Sequence, residues 1–238
     1  MDTFKQLESK LTVFEKEQFK NLQKQLAGKK LPAAAQGAVQ FVVLVTDDHK
    51  ENNQLLPVVV AVGINYYQCK KTDGILKPWL QDTVAEKAPG MLRATDCAIE
   101  SYRRNKTAWE NGIIQGVGPY AGRGTKDWMG DNYILIATNI SPFITQKSWS
   151  KHNETEQSEM IKIWDYRQHL NALHQLLGNQ VDLWVGHGKG YVWPIFQEWR
   201  ERCGINNWMI TYNLSGFGMV GMQKAKINCK NSYHPLYR

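Results

Sequence analysis

Residues 55–68, LLPVVVAVGINYYQ, constrain the fold more than any other stretch of the chain. Val58, Val59, Val60, Ala61 and Val62 form an unbroken apolar run between Pro57 and Gly63. A half-buried strand would alternate apolar and polar residues, and this one does not. A short β-branched run of this kind predicts a strand buried on both faces, and so a sheet covered on both sides. Asn65, Tyr66, Tyr67 and Gln68 follow at once. In open α/β sheets ligands bind just beyond the carboxyl ends of the strands. Residues 65–68 therefore form either a functional loop or an ordinary strand-to-helix connection, and this stretch alone does not choose between them.

Other segments repeat the pattern. Residues 41–45 (FVVLV) predict a strand that pairs antiparallel with residues 56–62. It ends in Asp47 and Asp48, two carboxylates that either hold a metal or simply enter a hairpin loop. Residues 133–137 (YILIA) predict a strand ending in Thr138 and Asn139, with Ile140, Ser141, Pro142 and Phe143 beyond. Residues 181–185 (VDLWV) run into Gly186, His187, Gly188, Lys189 and Gly190, with a helix expected over 191–203. A glycine-rich turn entering a helix exposes backbone N–H groups to an anion. His187 and Lys189 are thus candidates for phosphate contact, against the simpler reading of a tight turn needing positive φ. Residues 207–212 (NWMITY) predict the last strand, ending in Asn213, Leu214, Ser215 and Gly216.

Helical spacing of apolar residues marks 2–26, 92–109 and one long helix over 154–177 closed by Gly178. His169 and His174 on that helix read as structural or surface histidines. Strands alternating with helices predict an α/β fold, a three-layer α/β/α arrangement around a mostly parallel sheet. Residues 1–30 are read as an N-terminal helical appendage, packed on its own domain or pairing with another copy. Residues 31–238 are read as a single α/β domain. The polar strand ends would converge on one edge of the sheet.

Composition narrows the partners. The formal net charge is +7, with no long Lys/Arg run, so any basic surface is assembled by folding. An anionic partner, nucleic acid first, fits that balance. Residues 122–126, with Gly122, Arg123, Gly124 and Lys126, are basic but match no phosphate-loop spacing. The 4 cysteines include no CxxC pair, which argues against zinc and for free thiols in a reducing compartment. No apolar stretch approaches the roughly 18 residues that span a membrane. The expectation is a soluble cytoplasmic monomer with no membrane partner. No Ser-His-Asp order, GxSxG or Walker motif can be assembled from the strand ends. What gathers there is amides, hydroxyls, histidine and aromatics, groups suited to orienting a planar polar ligand.

The order of these signatures resembles the uracil-DNA glycosylase superfamily over residues 40–220. Residues 63–68 (GINYYQ) resemble its first motif, of the form GQDPYH or GINPG, with Tyr66 where the superfamily has proline. The resemblance implies that Asn65 positions the attacking water, less strongly activated than by an aspartate. Gly63, Ile64 and Tyr67 would line the base, Tyr67 excluding a 5-methyl group. Asn139 would read the base edge, and Phe143 or Tyr67 would stack on it. Asn213 and Ser215 stand where the closing motif belongs, and His234 followed by Pro235 is a second candidate for it. His234 or the Asn213 region would stabilise the departing base. No metal or organic cofactor is implied, and DNA is the implied partner. Two alternatives stay open: a non-catalytic nucleic-acid or nucleotide-binding protein on the same fold, and an unrelated α/β hydrolase with a metal at Asp47 and Asp48.

Overall fold

The computed structural model describes residues 3–38, 42–46, 56–64, 66–67, 95, 98–99, 114–117, 133–145, 149–187, 189–204 and 208–212. These form an α/β fold. Its strands are β1 (Ala35–Ala38), β2 (Val42–Thr46), β3 (Val58–Gly63), β4 (Tyr66–Tyr67), β5 (Ile114–Val117), β6 (Ile134–Asn139), β7 (Phe143–Thr145), β8 (Leu183–His187) and β9 (Trp208–Tyr212). Its helices are α1 (Thr3–Leu26), α2 (Glu154–Lys162), α3 (Tyr166–Leu177) and α4 (Lys189–Cys203).

Six strands make one sheet in the order β2-β6-β3-β8-β9-β5, and β1-β7-β4 make a smaller one. The middle four strands of the large sheet, β6, β3, β8 and β9, are parallel. The edges β2 and β5 run antiparallel to their neighbours. Every residue of β3 and β6 is buried, as the unbroken apolar run at 58–62 requires. Strand β2 does not pair with β3, as the sequence suggests. It pairs with β6, which lies between them. Two runs that are neighbours in sequence need not be neighbours in a sheet when a later strand can bury itself between them.

One face of the sheet carries Val58, Val60, Val62, Ile134, Ile136, Trp184 and Met209. These share a hydrophobic cluster with Leu7, Leu11, Phe14, Leu22 and Leu26 of α1, Leu170 and Leu173 of α3, and Phe196 and Trp199 of α4. Burying a side chain of this size contributes about 1.5–3 kcal/mol. The buried stripe of α1 therefore joins that helix to the core of its own chain. Gly28, at φ 73°, lets the chain turn out of α1. The other face carries Val59, Ala61, Leu135, Ala137, Leu183 and Val185, which are also buried.

The expected long helix over 154–177 is two helices. Asn153 and Glu156 close a reciprocal cap at the start of α2. Asp165 accepts from the backbone N–H groups of Arg167 and Gln168 and so starts α3. The break keeps Trp164 and Tyr166 in the core. At the opposite end of the sheet the Asp182 carboxylate accepts from the Val58 N–H at 2.8 Å. The Val58 carbonyl accepts from the Asp182 N–H at 2.9 Å. This double contact sets β8 against β3.

Candidate functional site at the carboxyl edge of the sheet

Strand register assembles the site. Asn139 at the end of β6 pairs with Gly63 at the end of β3. Val62 pairs with Gly186, so Gly63 is followed across the sheet by His187. His187 pairs in turn with Tyr212 at the end of β9. Four strand ends thus form one row: Asn139, Gly63, His187, Tyr212. Side chains alternate along a strand, so Asn139 and His187 belong to the face opposite α1, α3 and α4. Gly63 separates them by two strand spacings, roughly 10 Å, with no side chain between.

Both groups are held almost out of solvent, Asn139 at 5% exposure and His187 at 6%. His187 Nε2 and Thr95 Oγ1 share a hydrogen bond of 3.1 Å. Thr95 is helical and fully buried, so helical backbone meets the sheet on this face too. His187 closes β8 rather than opening a turn, because the strand runs two residues past the predicted end. Gly186 is a strand residue and Gly190 a helical one, and neither has positive φ. Lys189 begins α4.

The segments leaving β3 and β6 are stitched together. The Ile140 N–H donates to the Gly63 carbonyl at 2.9 Å, and the Ser141 N–H donates to the Ile64 carbonyl at 2.7 Å. Ser141 Oγ accepts from the Phe143 N–H at 3.3 Å, turning the chain into β7. There Tyr67 of β4 pairs with Thr145. Three sequence-selected positions, Gly63, Ile64 and Asn139, thereby meet in one corner of the fold, and Tyr67 lies in the small sheet that follows. Phe143 is nearby, but its ring is fully buried in the hydrophobic cluster. Asn65, Asn213, Ser215 and His234 lie outside the described residues, as do Asp47, Asp48 and residues 122–126. Among the described residues no group of three or more His, Cys, Asp or Glu could hold a metal.

Two residues that sequence reasoning did not assign to this corner support it. Thr95 fixes His187, and nothing in its local sequence marks it. His169 of α3 reaches Thr138, the neighbour of Asn139 on β6. Its Nε2 and Thr138 Oγ1 share a hydrogen bond of 2.8 Å. The imidazole is fully buried, with ring centroids 5.6 Å from Phe14 and 5.8 Å from Trp164. Burial pushes its pKa down to about 3, so it is neutral at physiological pH. The helical stripe on which it falls was legible, but the length of the reach to Thr138 was not.

No helix among the described residues is long and apolar enough to cross a membrane. Compared with protein-family models, curated proteins and solved structures, the chain matches none.

Proposed function

We propose that this corner binds a planar base and that the chain is a DNA-base glycosylase-like protein, hydrolysing the N-glycosidic bond of uracil or another damaged base. One observation carries the reading. The Gly63–Ile64 segment, which the resemblance has lining the base, and the Ile140–Ser141 segment that follows the base-reading candidate Asn139 are hydrogen-bonded to each other at adjacent parallel strand ends. Strand order supports a ligand position beside this corner. From β3 the chain goes to β6 on one side and then to β8 on the other. Such a reversal of direction opens a crevice at the carboxyl ends of β3 and β8, the usual ligand position in doubly wound sheets.

The same order supports a three-layer arrangement. Right-handed crossovers running in opposite directions across a sheet fall on opposite faces. The contact of helical Thr95 with His187, opposite α1, α3 and α4, agrees with that.

In the proposed reaction a base leaves the duplex, because its glycosidic bond is out of reach in the stack. The Asn139 amide reads the base edge with one donor and one acceptor. Asn65 orients water toward the anomeric carbon. As the C–N bond breaks, positive charge grows on the sugar and negative charge on the base. A donor from Asn213, Ser215 or His234 stabilises the base anion. The net charge of +7 meets the phosphate backbone, with Lys189 a candidate contact. No metal or organic cofactor enters this scheme.

The test is a labelled oligonucleotide with one uracil, followed by alkaline cleavage of abasic sites, beside strands carrying other deaminated or alkylated bases. Cleavage that disappears in Asn65→Ala is the expected result. DNA binding with no abasic product from any strand would instead favour a non-catalytic binder.

A further inference from the structure

We infer that His169 is a positioning residue for Asn139, acting through Thr138 from the helical layer beneath the sheet. The inference rests on the reading of Asn139 as the base-reading group, and it extends that site to a residue outside the corner itself.

Thr138 and Asn139 are consecutive, so their side chains leave β6 on opposite faces. Asn139 belongs to the ligand side. Thr138 turns toward α3, where it is fully buried and bonded to His169 at 2.8 Å. Val62, its register partner on β3, lies in the same hydrophobic cluster. An imidazole in such surroundings carries a desolvation cost that a phenylalanine would not. Its hydrogen bond to Thr138 offsets that cost and ties the end of the β6 strand to α3. The His169 ring is itself held between Phe14 of α1 and Trp164 at the head of α3. Asn139 and the Ile140 N–H bonded to Gly63 are the next atoms along that backbone. A site that reads a base edge by hydrogen bonds needs its amide held to a fraction of an ångström, and a misplacement of about 1 Å can cost on the order of a hundredfold in rate.

The experiment compares four single variants with the parent protein. His169→Phe fills the volume without either nitrogen. Thr138→Val removes the hydroxyl at nearly constant shape. His169→Gln keeps a group able to bond Thr138. Leu170→Ala removes buried volume from the same helix and keeps both partners of the Thr138–His169 hydrogen bond. Thermal melts establish that each is folded, and the side-chain NH2 resonances of Asn139, assigned through Asn139→Asp, report its environment. The expected result is that His169→Phe and Thr138→Val shift, broaden or double these signals. His169→Gln returns them toward the parent, and Leu170→Ala leaves them in place. Unchanged signals in both His169→Phe and Thr138→Val would overturn the inference, and so would an equal change in Leu170→Ala.

This readout stands whether or not the protein cleaves uracil. If it does, kcat/KM falls about tenfold or more in His169→Phe and is retained in Leu170→Ala. If the parent shows no base release, the proposed reaction fails while the resonances still decide the role of His169.

Discussion

His169 shows how one buried titratable group shapes the behaviour of the whole chain. In the unfolded chain a histidine titrates near pH 6.5. In the fold, desolvation holds His169 at about 3. Between those values the unfolded state takes up a proton that the native state refuses, so stability falls as pH drops through this window. The loss is about 2 kcal/mol near pH 5 and is absent above about pH 7.5. His174 acts in the same direction, since its imidazole is also depressed by burial beside Trp184 and Trp199. Urea unfolding of the parent and of His169→Gln near pH 7.5 and pH 5 measures this. The parent should lose more stability on acidification than the variant, and parallel losses would remove His169 as the cause. Asp165 acts through local geometry instead. Asp165→Ala strips two backbone N–H groups of their acceptor at the head of α3. It should lower stability by about 1 kcal/mol in the same unfolding experiment.

The helix α1 was read from its apolar spacing, and its boundaries fall within a residue of expectation. Its destination was not legible, because an apolar stripe says that something covers it and not what. The cover is this chain's own sheet and α3. Leu11 is fully buried there, whereas Val13 on the same helix is 57% exposed. Leu11→Ala should therefore cost about 2–5 kcal/mol, and Val13→Ala no more than about 0.5 kcal/mol in either direction. Equal effects at both positions would mean that α1 is not docked by this stripe. The break between α2 and α3 was missed because the apolar period runs on through Ile163 and Trp164. The signal was Asp165, a residue that favours helix caps over helix interiors. Strands β1, β4, β5 and β7 were missed for a different reason. They have two to four residues, too few for any periodicity, and Ala35–Ala38 (AQGA) has no β-branched or aromatic residue to mark it.

Across the molecule, the sheet order β6-β3-β8-β9 matters more than any single strand, because it decides which strand ends are neighbours. It brings Asn139 beside Gly63 and sets His187 on the other side of the same glycine. The proposed DNA partner has a consequence at this level. A net charge of +7 assembled from scattered lysines and arginines should make binding to a duplex fall steeply with salt, because each phosphate contact releases counterions. Fluorescence anisotropy at about 50 and 200 mM salt should show affinity dropping tenfold or more. Binding that ignores salt would argue against contact with the phosphate backbone.

The unbroken run at 58–62 was enough to require a strand covered on both faces. The alternation of apolar runs with helical periods was enough to require an α/β chain, because burial and period are local properties of a sequence. The amide and glycine positions at the strand ends were legible for the same reason: β3, β6 and β8 each end one or two residues past the apolar run. Neighbourhood was not local. Nothing near residue 45 says that β6 will come between β2 and β3, nothing near Thr95 says that it will meet His187, and nothing near His169 says that it will hold Thr138. Those pairings bring together residues 31 or 92 positions apart. They were decided by which faces had to be buried against which, and that is settled only when the whole sheet has formed.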